Sequence, residues 1–416
     1  MLNRGGRVCI VGGAGHVGLP LAMTLADCGL TVDIVDTNLA ALAEVSSGKM
    51  PFREEGGPEM LQRALASGRL RLTDDHAAIA RAEGVICVIG TPVDEYLTPR
   101  TTRFCQVIEH LRPHFRDGQT LILRSTVYPG LSAQINRMFR EHGPDVHVSF
   151  CPERVAEGHA LREIREIPQI ISAFDDAGLA GARRIFGRVC RELVEVAPME
   201  AELAKLMCNC YRYISFAIAN QFYMLAEGAG LDYERVAHAA SWHNPRSGGM
   251  PRPGLAAGPC LLKDTMQLAA FADNNFFLGH AAMLINEGLP QFMVRQLQGE
   301  YDLHHATVGI LGMTFKADCD DTRDSLSFKL RKLLQLAAHE VLVHDPFLAG
   351  AEYLPLPEVI GRSNILVVGV PHSAYRGLSI PAGKRVLDIW HCLAPQQEAT
   401  ITTTPAARLL VGAARP

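Results

Sequence analysis

Eleven cysteines occur in this chain, and one of them stands in a setting that could do chemistry. Cys260 lies in the run Gly258-Pro259-Cys260-Leu261-Leu262-Lys263-Asp264, at the start of an apolar helical pattern that extends through Phe271. A helix start and a neighbouring ammonium each lower a thiol pKa, which raises the thiolate fraction. A thiolate can bond a carbonyl carbon and hold it while electrons leave, so this setting points to a covalent nucleophile. Lys205 and Asn209 stand four apart on a long helical pattern and share one face. An ammonium and a carboxamide so placed can hold a developing oxyanion. Glu153 and Glu157 follow the short strand pattern 146–150 and suit acid–base work or the positioning of water.

Upstream, Gly13-Ala14-Gly15-His16-Val17-Gly18 follows the strand pattern 7–11 and opens an apolar helix, and Asp36 closes the next strand pattern. Glycines at this spacing permit a tight turn, let backbone N–H groups approach a pyrophosphate, and let the helix pack close on the strand. A carboxylate at Asp36 accepts from a ribose 2′-hydroxyl and repels a 2′-phosphate, so the expected cofactor is NAD rather than NADP. Gly90-Thr91-Pro92 and Ser125-Thr126 fall at the carboxyl ends of two further strand patterns, the edge where open sheets bind ligands.

A large framework must carry these groups. The chain has 416 residues, 48% of them apolar, enough for two or three domains. Its net charge of −4 is spread over both signs without a Lys/Arg block, which gives no footprint for nucleic acid or a membrane surface. No apolar run reaches the ~18 residues of a membrane span. The first residues run into a strand without a signal-peptide pattern, and the cysteines lack paired spacing, so reduced thiols in the cytoplasm are expected. Cys208 and Cys210 point to different faces of one helix, where packing is the expected role of both rather than metal binding. Strands alternating with helices as far as residue 197 imply an open parallel sheet. An uninterrupted helical pattern then runs from Met199 to about Gly228, helices continue to about Leu297, and a second strand–helix alternation follows His304-His305. The expected fold is α/β: two Rossmann-like open parallel-sheet domains, residues 1–197 and 301–416, joined by a helical domain, 198–300, with a long central helix. The tail after Pro395 reads as irregular.

Taken in order over nearly the whole chain, several segments resemble the nucleotide-sugar 6-dehydrogenase family, enzymes similar to UDP-glucose and GDP-mannose dehydrogenases. The carriers are Gly13 to Gly18, Asp36, Gly90-Thr91-Pro92, Ser125-Thr126-Val127, Pro152-Glu153 to Glu157-Gly158, and Glu200-Ala201-Glu202-Leu203 with Lys205 and Asn209. Gly258-Pro259-Cys260 with Lys263-Asp264, Phe315-Lys316, and Asp321-Thr322-Arg323-Asp324-Ser325 complete the set. The resemblance implies NAD-dependent, four-electron oxidation of a sugar C6 alcohol to a uronate through a thioester on Cys260. It implies that Lys205 and Asn209 stabilise the oxyanion, that Asp264 with Thr126, Glu157 and a water handles protons, and that Glu153 helps place water or substrate. Gly13, Gly15, His16, Val17, Gly18, Asp36, Thr91, Pro92, Thr126, Lys263 and Arg323 would face the cofactor. Glu153, Arg154, Val155, Lys205, Asn209, Arg246, Phe315 and Lys316 would face the sugar nucleotide. Arg246 would reach across from a partner in a homodimer built on the long helix, and no metal is implied.

Two features bear on the sugar. Arg154-Val155 resembles members acting on N-acetylated hexosamines, whereas Lys263-Asp264 after the cysteine, with no histidine before it, follows the glucose style. A UDP-N-acetylhexosamine or UDP-glucose is the expected substrate, with a lean to the former. The competing class is a two-electron hydroxyacid dehydrogenase, which also joins such a first domain to a helix bearing Lys and Asn four apart. It would release one NADH per substrate in place of two.

Overall fold

A strand buried on both faces needs a continuous apolar run, and such runs recur through the first part of the chain. In the computed structural model, which describes residues 6–91, 93–94 and 99–393, they form β1 (Arg7–Val11), β2 (Thr31–Val35), β3 (Leu70–Thr73), β4 (Gly84–Cys87), β5 (Thr120–Leu123) and β6 (His147–Phe150). These pair in parallel in the order β3-β2-β1-β4-β5-β6. The order reverses between β1 and β4, which leaves a crevice at their carboxyl ends. Beyond β6 the sheet departs from the all-parallel expectation. β7 (Gln169–Ala173) joins β6 antiparallel, and β8 (Leu193–Glu195) joins β7. The connection 151–168 begins and ends at the carboxyl edge instead of crossing back, so β7 must run the other way.

The last part of the chain builds a second, smaller sheet from β9 (Thr307–Leu311), β10 (Glu340–His344), β11 (Ile365–Val368) and β12 (Arg385–Leu387). Its order is β10-β9-β11-β12, all parallel. The turn after β9 repeats the turn after β1. Gly12, at φ 79°, donates its N–H to the Val35 carbonyl at 2.8 Å, and Gly312, at φ 95°, donates to His344 at 2.8 Å. Asp36 accepts from the Ala14 N–H at 3.0 Å, and Asp345 accepts from Met313 at 2.7 Å. One difference separates them: Asp345 is buried, with His372 Nε2 at 3.1 Å on its carboxylate, so this carboxylate is engaged within its own domain.

Between the sheets runs a central helix, Pro198–Gly228, matching the long pattern read from the sequence. Its buried face includes Ala201, Lys205, Asn209, Tyr213 and Ala217 and packs against helices Leu261–Phe271 and Phe277–Glu300. Glu202 fixes this helix to the first domain. Its buried carboxylate accepts from the N–H groups of Gly130 at 2.6 Å and Ser132 at 2.9 Å, satisfying the orphan donors of helix Leu131–His142. All eleven cysteines are free thiols. Cys210 is buried as expected, but Cys208 is exposed, because the two positions face opposite sides and only one side packs. Among the described residues no helix is long and apolar enough to cross a membrane.

Candidate active site

The crevice between β1 and β4 is built for close approach of a ligand to backbone. A Cβ on Gly18 would lie 2.5 Å from Gly13 Cα, so the turn closes only with glycine there, while Gly15 faces open space. Val17 precedes helix Gly18–Asp27, whose unpaired N–H groups suit an anion. Asp36 accepts through Oδ2 from Ala14 and through Oδ1 from the Asn38 N–H at 2.9 Å, which aims the carboxylate along the loop. The Thr91 hydroxyl donates to the Thr126 carbonyl at 2.5 Å and ties together the loops that follow β4 and β5. His16 stacks on Phe52 with ring centroids 4.1 Å apart. This cradle fits NAD. Pro92 lies outside the described residues, as does the tail after Pro395.

At the neighbouring edge, Cys260 precedes helix Leu261–Phe271 and is open to solvent on one side. One turn on, the fully buried Asp264 accepts from Asn209 Nδ2 at 2.6 Å and pairs with Lys263. An amide nitrogen carries two donors, so Asn209 retains one for an oxyanion. Lys205 is buried, and its ammonium has no hydrogen-bond or ion-pair partner among the described residues. It acts on the Cys260 sulfur, which it pulls towards the thiolate. The net balance nevertheless differs from the sequence expectation. Burial first, and the Asp264 carboxylate next, hold the thiol above its ordinary 9.0 despite Lys263 and Lys205. Lys263 is also ion-paired with Asp264, yet of the two lysines it favours the thiolate more strongly.

The third sheet edge completes the site. Lys316 Nζ donates to the Glu157 carbonyl, and Arg323 binds Asp321 through Nε at 2.8 Å and reaches Glu157 Oε1 at 3.3 Å. His16 Nδ1 stands 3.9 Å from Glu157 Oε2. Burial, then Asp321, pushes the Glu157 carboxyl up to about 7, while burial, then the Arg323 guanidinium, pushes His16 down. His16, Glu157 and Asp321 bring possible ligand atoms within 4.8 Å of one another. Arg323 and Lys316 already supply the positive charge here, which suits a pyrophosphate facing the glycine loop better than a cation. Phe315 lies against the loop before Cys260, where a Cβ on Gly258 would meet its ring at 2.5 Å.

Four predicted residues take other positions. Glu153 is buried, with Oε2 on the buried Arg124 and Oε1 accepting from the N–H groups of Arg154 at 2.6 Å and Val155 at 2.9 Å. Both oxygens are engaged in shaping the 151–158 loop. The Arg154 guanidinium donates to the Pro168 carbonyl, and Val155 packs on the first core, so neither side chain is placed with Cys260. Arg246 occupies an exposed turn after helix Tyr233–Ser241, outside the Cys260 cluster.

Other residues of the site escaped the sequence reading. Arg124, a charge directly after a fully buried strand, was legible as an anomaly. The strap formed by Phe52 and Arg53 was not. The Arg53 N–H donates to Asp320 Oδ2 at 3.0 Å, and its guanidinium lies 4.3 Å from the Phe347 ring, joining segments 267 positions apart.

Known proteins resolve the same three parts. The NAD binding domain of the UDP-glucose/GDP-mannose dehydrogenase family matches residues 6–189, its central domain 199–287 and its UDP binding domain 309–395. A UDP-N-acetyl-D-mannosamine dehydrogenase of Methanocaldococcus jannaschii is 28% identical over 89% of this chain and 87% of its own. An NDP-N-acetyl-D-galactosaminuronic acid dehydrogenase of Ralstonia solanacearum is 26% identical over 89% and 92%. Among solved structures, a UDP-glucose dehydrogenase from Pyrobaculum islandicum superposes with a TM-score of 0.83 at 26% identity, covering 92% of this chain and 94% of that one. A glycine cradle for NAD, a central helical part and a second parallel sheet thus occur in one chain that belongs to the UDP-glucose/GDP-mannose dehydrogenase family of NAD-dependent oxidoreductases.

Proposed function

We propose that this chain oxidises the C6 primary alcohol of a UDP-linked sugar to a uronate, with Cys260 holding the carbon between two oxidations. The observation that carries the reading is Cys260 at the head of the helix that carries the buried Asp264, in the field of the Lys263 and Lys205 ammoniums and one turn before the Asn209–Asp264 hydrogen bond. NAD, held by Gly13, Gly15, Gly18, Asp36, Thr91, Lys263 and Arg323, supplies the hydride acceptor in each of two rounds. Thr126, Glu157 and Asp264, with a water, take the alcohol proton. Cys260 adds to the resulting aldehyde carbon, and Lys205 with the free Asn209 N–H holds the oxygen of the thiohemiacetal. After the second oxidation water cleaves the thioester and frees the thiol. The balance is one alcohol, one water and two NAD consumed, one carboxylate, two NADH and three protons formed.

Phe315, Lys316 and a partner's copy of Arg246 are proposed to hold the nucleotide sugar. The partner is a second copy of this chain. The central helix exposes Met207, Tyr211, Ile218, Phe222 and Leu225 at helical spacing, an outward apolar stripe that a dimer would cover. We place the domain boundaries at 197/198 and 300/301 and the reaction in the cytoplasm, a compartment that suits eleven free thiols. The sugar is proposed to be an N-acetylhexosamine, on the strength of the archaeal and Ralstonia relatives; Arg154 and Val155, which serve their own loop, do not support it by contact. UDP-N-acetylmannosamine, UDP-N-acetylglucosamine, UDP-glucose and GDP-mannose should be offered in turn while NADH is counted. Two NADH per sugar, with a Cys260→Ser enzyme that binds both ligands but yields no acid, is the expected result. One NADH per substrate would establish the hydroxyacid alternative, and full turnover by the serine variant would remove the thioester.

A further inference from the structure

The loop 253–260 that delivers the nucleophile is gripped from two sides at Gly254. From the central helices, the fully buried Asn220 reads this residue as a neighbouring strand would. Its Nδ2 donates to the Gly254 carbonyl at 3.0 Å, and its Oδ1 accepts the Gly254 N–H at 2.8 Å. Asn220 is itself fixed by Asn286, whose Oδ1 accepts from it at 2.9 Å and whose Nδ2 donates to the Tyr213 carbonyl at 3.0 Å. From the C-terminal domain, the Trp390 ring fills the space where a side chain on Gly254 would stand. A Cβ added there would fall 2.1 Å from Trp390 Cζ3. The indole is anchored in its own domain, with Nε1 donating to the Gly369 carbonyl at 3.1 Å. Four residues on, the same domain takes hold again: the Gly258 N–H donates to the Asp324 carbonyl at 3.3 Å, and Phe315 covers the remaining space.

We infer that Trp390 is a positioning residue for Cys260, pressing on Gly254 so that the seating of the C-terminal domain sets where the sulfur stands. Trp390 belongs to none of the motifs that carry the site. Its effect runs through six residues of backbone whose other end is Cys260, and a displacement of about 1 Å at a reacting atom can cost on the order of 100-fold in rate. The inference rests on the proposed role of Cys260, but its readout does not require a sugar.

The test is a size swap. Gly254→Ala should collide with the indole, drive the loop away, and change the rate of Cys260 alkylation by iodoacetamide, followed on the Cys260 peptide by mass spectrometry, by at least about fivefold. Turnover should fall on the order of 10- to 100-fold, in kcat rather than in the KM for NAD. Trp390→Phe makes room, so Gly254→Ala placed in that background should recover most of both losses. Trp390→Ala gives the same comparison with a larger space, and NAD affinity together with Tm identifies any variant that fails to fold. Equal costs of Gly254→Ala in the wild-type and Trp390→Phe backgrounds would show the two sites uncoupled and overturn the inference. Should the alkylation coupling appear while the enzyme yields one NADH per substrate, the positioning stands and the proposed reaction falls.

Discussion

At the scale of single residues, two lysines favour the Cys260 thiolate, and the one near it in sequence acts more strongly than the distant one. Lys263, three positions on, is also bound to Asp264, whereas Lys205, 55 positions back, has no hydrogen-bond or ion-pair partner among the described residues. Cys260 should therefore react with alkylating agents as a thiol titrating above its ordinary 9.0, and Asp264→Asn should move that titration down by removing a charge and releasing Lys263. Lys205→Ala should move it up and lower kcat by about 100- to 1,000-fold. Glu157 provides a second pH test. Its folded value near 7 stands above the ordinary 4.5, so the fold favours its neutral form. That contribution is fully present below about 4.5 and is lost as pH rises through about 7. The stability of the wild type relative to Glu157→Gln, measured by urea denaturation, should decline between pH 5 and pH 8; a flat difference would contradict the assignment.

At the scale of elements, the central helix carries Lys205 and Asn209, and its placement depends on Glu202. That carboxylate caps a helix elsewhere in the chain while belonging to the helix that bears Lys205 and Asn209, the proposed oxyanion groups. Replacing Glu202 by Ala leaves the N–H groups of Gly130 and Ser132 without acceptors, a loss of about 1–3 kcal/mol for a buried group. Chemical denaturation should show this, and activity should fall with it because the helix loses its register against Thr126. The helix itself was legible, since a long run without proline can be read from the sequence alone. Its cap was not, because the two partners lie 70 and 72 positions upstream.

At the scale of the whole molecule, two nucleotide-type sheets face each other across the helical part, and their meeting edges assemble the site. Lys316, Asp321 and Arg323 of one reach Glu157 and His16 of the other. Arg246 stands apart from this assembly, and the apolar stripe on the central helix is exposed among the described residues. If the proposed dimer forms on this stripe, Phe222→Glu should give a monomer by sedimentation and, with the proposed loan of Arg246 lost, a large rise in the KM for the sugar nucleotide. A dimer persisting in this variant would locate the interface elsewhere.

The sequence by itself determined the strands, the glycine cradle and the central helix, and it singled out the proposed nucleophile, because each depends on residues close together in the chain. Local rules of spacing, steric space and helical periodicity suffice for these. Tertiary structure alone decided which charges cancel, which carboxylates are free, and how β7 runs. Glu153 and Glu157 look alike in the sequence, yet one is locked to Arg124 and the other waits between Arg323 and His16. Electrostatic energy depends on distance and burial, and neither can be read along a chain whose interacting groups lie from tens to more than a hundred positions apart.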